Sequence, residues 1–262
     1  MTERICAMVV VLACALPAQV SKPETKAPSP AELAATSARG KMLAEYDVAA
    51  SHADDAVAAL QPDPSIAPLY LARKMFGQWE VVYGRLTPNR DRFLIVYRAT
   101  QGATPTEFTA KKLDPPAEDR GFYLGAAKAA EIANRDFGNP GRPYNTYVLP
   151  TEDGRLYVYL LPGQTREGVY PLGGDVRYTI TLDGSTIADK RQMHKTIIEK
   201  KEPVPEGTKL AGGYHTHVLN NEIEESDVFH VLVRTPSIPE YVGTPDKHMY
   251  EIATDGTIKR VQ

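Results

Sequence analysis

The chain has 262 residues, 42% of them hydrophobic and 24% charged, with a formal net charge of -3. That is enough for one large or two small domains with buried cores. Mild acidity argues against nucleic-acid binding, which needs a basic face to displace counterions. The densest basic stretch, Lys190 to Lys201, is interrupted by Glu199 and Glu202 and reads as a solvated face.

Met1 to Arg4 carries one arginine, and residues 5–16 form an apolar run. The run is far shorter than the roughly 20 residues a membrane-spanning helix needs. Small residues follow, so residues 1–18 read as a signal segment cleaved after Ala18, with Ala13 and Ala15 offering a second small-residue spacing. Val11-Leu12-Ala13-Cys14 also resembles a bacterial lipobox, which makes a lipid anchor at Cys14 the alternative. Either way the protein is expected to be exported, periplasmic or secreted, with no transmembrane helix in its mature form. Cys6 and Cys14 are the only cysteines. The mature chain therefore has no disulfide and no thiolate, and any metal must be held by histidine and carboxylate.

Residues 19–30, rich in Pro, Lys, Ser and Thr, lack an apolar period and read as a disordered linker. In residues 31–60, Met42, Tyr46, Ala49 and Ala53 recur at helical spacing, predicting one or two helices, with Gly40 as a break and Pro62 and Pro64 beyond the end. A β block follows. Residues 69–71 and 79–83 flank Gly77, residues 93–97 follow Pro88-Asn89, and residues 106–113 precede Pro115-Pro116, which should stop the strand. Trp79 is expected to anchor the core of this small antiparallel sheet.

Residues 121–137 are predicted helical, with Tyr123, Ala126, Ala130, Ala133 and Phe137 on one stripe and Gly138-Asn139-Pro140 as the stop. The alanine face implies close packing on a sheet. Asp153-Gly154, Asp183-Gly184 and Asp255-Gly256 each precede strand-like sequence and predict three hairpins. Residues 187–199 fit a helix or a strand, and the β-branched Thr196-Ile197-Ile198 favours the strand. The expected organisation is α+β. N-terminal helices and a small antiparallel sheet occupy residues 31–117, and a compact α+β domain occupies residues 118–262.

The chemistry concentrates near the C-terminus. Gly212 and Gly213 precede His215-Thr216-His217, and two histidines two apart on an extended segment point to the same side. Neutral imidazoles so placed are a natural pair of zinc ligands. Asp227, at the start of a predicted short helix over residues 227–233, can complete a three-ligand site. His194 and His230 are isolated in sequence. His230 is one helical turn from Asp227 and can face the site, but an ordinary partly buried histidine is the simpler reading of each. Glu222, Glu224 and Glu225 read as a solvated loop, and Asp246 with His248 as a turn.

This segment, a His-Thr-His strand end, a loop and an aspartate at a helix start, resembles the JAMM (MPN-type) metalloproteases and their bacterial JAB-like relatives. The resemblance covers roughly residues 120–262, and its specific part about fifty of them. It implies a mixed sheet with flanking helices, zinc held by His215, His217 and Asp227, and hydrolysis of amide or isopeptide bonds in a peptide or protein substrate. The departures are equally specific. Glu224 stands three before Asp227 where the family has serine, Val218 stands where proline is usual, and no upstream strand glutamate offers a general base. These point to the alternative, a non-catalytic envelope or secreted binding protein that keeps the fold. Phosphate-loop, dinucleotide, His-Glu-x-x-His and Gly-x-Ser-x-Gly motifs are absent from the sequence.

Overall fold

Ser29 caps the first helix. Its hydroxyl accepts from the Glu32 backbone while the Glu32 carboxylate returns to the Ser29 N–H, and Pro30 occupies the first turn. The computed structural model describes residues 27–199 and 210–262. The expected signal segment and most of the expected linker lie outside them; the linker's last residues, Ser29 and Pro30, belong to the helix start. Helix α1 (Pro30–Ala58) runs unbroken through Gly40, correcting the expected break. A Cβ at Gly40 would stand 2.5 Å from Val228 Cβ, so glycine there serves close helix packing.

Strands β1 (Leu69–Met75), β2 (Gln78–Leu86), β3 (Phe93–Gln101) and β4 (Phe108–Asp119) make an antiparallel sheet in that order. Pro115 and Pro116 do not end β4. They sit where the register with β3 jumps, on the sheet's edge, and there no ladder N–H is required of them. Trp79 is buried in the core, as expected.

Helix α2 (Phe122–Phe137) buries Tyr123, Ala126, Ala130 and Ala133, with Phe137 partly buried. Strands β5 (Tyr144–Pro150), β6 (Arg155–Pro162), β8 (Val176–Thr181) and β9 (Ile187–Gln192) form a second antiparallel sheet; β7 (Leu172–Gly173) and β10 (Ile197–Ile198) pair apart from it. Residues 187–192 and 197–198 are thus strands, and no helix forms between them. Alternation assigns each sheet two faces. Val81, Tyr83, Tyr147 and Tyr159 pack with α1, while Val82, Ile95, Val148 and Val158 pack with α2. Residues on either side of position 117 therefore share both cores.

The last unit is β11 (Gly213–Thr216), helix α3 (Glu225–Val233), β12 (Glu240–Gly243), β13 (Met249–Ile252) and β14 (Ile258–Arg260). β11 and β12 are parallel and α3 lies between them in the chain; the remaining pairs are antiparallel. A parallel pair needs such a crossover. Val228 and Val231 of α3 pack on Val242, Tyr250 and Ile252 and on Leu33 of α1. All three Asp-Gly pairs join antiparallel neighbours, with the glycines at φ +76°, +70° and +78°. The protein is α+β, and among the described residues no helix is long and apolar enough to cross a membrane.

Candidate metal centre

The β11–α3–β12 unit brings a strand end and a helix start together. His215 and His217 are buried while Tyr214, Thr216 and Val218 are exposed, the alternation expected of an extended segment. Backbone pairing holds this geometry, because the His217 N–H donates to the Gly243 carbonyl at 2.8 Å. Asp227 is fully buried in the first turn of α3, which begins two residues earlier than the sequence suggested. Its Oδ2 accepts from the Glu224 N–H at 2.8 Å.

The structure brings His215, His217 and Asp227 together and adds a fourth residue, His194, two positions beyond β9. One ligand atom from each of the four lies within 4.8 Å of the others, all in buried residues. His194 Nε2 is 2.9 Å from His217 Nε2, and His215 Nε2 is 3.2 Å from it. Asp227 Oδ1 is 3.0 Å from His194 Nε2 and 3.2 Å from His215 Nε2, and Oδ2 is 3.2 Å from His217 Nε2. This corrects the reading of His194 as an ordinary isolated histidine. No local motif marks it, since its partners lie more than twenty residues downstream.

The outer ring nitrogens settle the tautomers. His217 Nδ1 stands 2.6 Å from the Glu222 carbonyl, His194 Nδ1 2.8 Å from Asp175 Oδ1, and His215 Nδ1 2.9 Å from Glu240 Oε1. Carbonyl and carboxylate oxygens only accept, so each Nδ1 donates and each neutral ring turns its Nε2 lone pair inward. This is the arrangement metal-ligating histidines adopt. Glu240 is itself braced, because Arg234 donates to it at 2.6 Å.

Three lone pairs and a carboxylate cannot converge without a positive charge among them. Burial opposes charging His194, yet Asp227 and Asp175 outweigh it and raise its pKa to about 11. Burial likewise opposes charging His215, but Asp227 and Glu240 raise it to about 9. Burial would push Asp227 up, but His217 and His194 hold it well below the usual carboxylate range. Asp227 Oδ1 faces two imidazole nitrogens at once, His194 Nε2 and His215 Nε2, so a cation held between them would meet donors from three residues. The group can therefore hold a metal ion.

His230 is buried nearby but does not join the four. Burial, with Arg234 adding to it, lowers its pKa to about 4 and keeps it neutral. Glu224 and Glu225 are not solvated, as the acidic run suggested, but 1% exposed each. Glu224 is bound by Arg191, and Glu225 by Arg39 and Arg177. Glu222 remains exposed, and Asp246 pairs with His248 in a turn.

The centre opens on one side. A cleft of about 1150 Å³ is lined by His194, His215 and His217 and by apolar residues that include Leu172, Met193, Tyr214, Val218 and Ile238. His194 and His215 are the most widely separated rings, with centroids 5.8 Å apart against 4.6 and 5.2 Å for the other pairs. No family model matches this chain, and no curated protein or solved structure was found similar to it.

Proposed function

We propose that this is an exported metal-binding protein whose centre holds one zinc ion through His194, His215, His217 and Asp227. The observation that carries this reading is the convergence of three Nε2 lone pairs on one buried carboxylate, each ring oriented from behind by an acceptor. Zinc takes imidazole and carboxylate together, and four protein donors fill the tetrahedral shell of a site that stabilises a fold. Export rests on the apolar run and small residues at the start of the sequence.

A second reading is the zinc-dependent hydrolase implied by the resemblance to JAMM-type enzymes. Two observations favour it. His215, His217 and Asp227 lie at a strand end and the next helix start, and the cleft beside them has apolar walls suited to a peptide segment. Zinc there would polarise a carbonyl or acidify a water. Against it, Asp175 and Glu240, the carboxylates beside the ligands, each bind an outer imidazole nitrogen and serve orientation.

Zinc titration by calorimetry, followed by incubation of the loaded protein with peptide and isopeptide substrates, separates the two. One zinc per chain and no cleavage is the expected result. Cleavage abolished by Asp227→Ala would make the hydrolase reading the correct one, and no zinc binding would overturn both.

A further inference from the structure

The four ligand residues come from three separate elements, and one side chain touches the neighbourhood of nearly all of them. Arg191 lies on β9, three residues before His194. Its guanidinium donates to Glu224 Oε1 at 2.6 Å and reaches Glu222 Oε2 at 2.8 Å. Glu222 is the residue whose carbonyl fixes His217 Nδ1. Glu224 is the residue whose N–H fixes Asp227 Oδ2. Arg191 thus connects the strand that leads to His194 with the loop that orients His217 and with the helix turn that orients Asp227.

Its setting is otherwise unfavourable. Arg191 is the direct cross-strand partner of Arg177 on β8, and like charges opposed across a ladder repel. The pair persists because two consecutive buried carboxylates face it, Glu224 taking Arg191 and Glu225 taking Arg177 together with Arg39. Burying two carboxylates against three half-buried arginines contributes little net stability compared with an apolar contact of the same volume, whereas removing one partner is costly. Such a cluster is better suited to fixing one arrangement of α3 against the sheet than to strengthening the fold. A planar guanidinium contacting two carboxylates does this with directional bonds that an ammonium cannot reproduce.

We propose that Arg191 is the positioning residue of the metal centre, acting through Glu224 on Asp227 and through Glu222 on His217. The proposal rests on the metal-centre reading above. It assigns a role to a side chain that is not itself a ligand.

Cobalt(II) serves as the probe because its visible bands report coordination. Wild type, Arg191→Met, Arg191→Lys and Glu224→Gln would be titrated beside Val82→Ala, a core truncation in the first sheet remote from the site. Loss of an outer-shell partner lowers metal affinity by roughly 10–100-fold. Arg191→Met and Glu224→Gln are expected to weaken binding to that extent and to change the band positions or intensities. Arg191→Lys should recover part of the affinity and a spectrum closer to wild type. Val82→Ala should lower the urea midpoint and leave affinity and bands unchanged. Unchanged affinity and bands in folded Arg191→Met or Glu224→Gln would overturn the proposal, as would equal weakening in Val82→Ala, because affinity would then only follow stability. A wild type that binds neither cobalt nor zinc would instead remove the centre itself.

Discussion

His194 Nε2 stands 2.9 Å from His217 Nε2, and both rings donate their outer proton away from that contact. In two neutral rings the facing nitrogens are both acceptors, so the contact repels unless a cation or a shared proton lies between. Without a metal the protein must use a proton there, and under the proposed function a metal ion would take the proton's place.

Removing a ligand should therefore cost more than removing an outer-shell partner. His194→Ala, His217→Ala and Asp227→Ala should each weaken zinc binding by more than the roughly 10–100-fold typical of losing a residue that only orients a ligand. Calorimetry on the purified protein measures this. Wild-type affinity in His194→Ala would restore the three-ligand site, and wild-type affinity in both others would dismiss the site.

The protons in the apo site give the metal effect a pH dependence of definite sign. The raised pKa values of His194, about 11, and His215, about 9, mean that their charged forms stabilise the metal-free fold fully below the unfolded value of about 6.5. That contribution is lost as pH rises through 9 and then 11. Zinc requires neutral rings, so it competes with those protons and binds more tightly as pH rises. The rise in Tm on adding zinc to chelator-treated protein should accordingly be small at pH 6 and larger at pH 8.5. An equal effect would mean that no net proton leaves the site on binding, and a reversed one that protons are taken up.

Features fixed by neighbours in sequence were legible, and those fixed by distant partners were not. The Asp-Gly hairpins, the alanine stripe of α2 and the same-side pair His215 and His217 follow from local periodicity and turn chemistry. His194 carries no such mark, since its role arises when β9 ends beside β11. Glu224 and Glu225 read as solvent-facing because their arginines lie in other elements. Pro115 and Pro116 suggested a stop because proline removes a ladder donor, but an edge position with a register shift does not need that donor. Gly40 looked like a helix break and is a packing contact with α3.

Ala130 tests the packing of α2. It is 1% exposed in a core that includes Val148, Leu156 and Val158. Ala130→Leu should cost about 1–3 kcal/mol by overpacking, seen as a lower urea midpoint with an unchanged slope. An unchanged midpoint would mean that the stripe has room the structure does not show.

Gly40 links the helix packing to the metal centre. Alanine is favoured over glycine inside a helix by about 1 kcal/mol, so Gly40→Ala would stabilise α1 if nothing touched it. The new Cβ, however, would lie 2.5 Å from Val228 Cβ and 2.7 Å from the Glu225 carbonyl oxygen. The second of these contacts is with backbone of the same helical turn that carries Asp227. Relief requires α3 to shift away from α1, at a cost of about 1–3 kcal/mol for overpacking, and Asp227 shifts with it. Gly40→Ala should therefore lower the urea midpoint and weaken zinc binding together, although the substitution contacts no ligand. A higher midpoint with wild-type zinc affinity would show that the two helices do not approach this closely, and that the first turn of α3 is not held by α1.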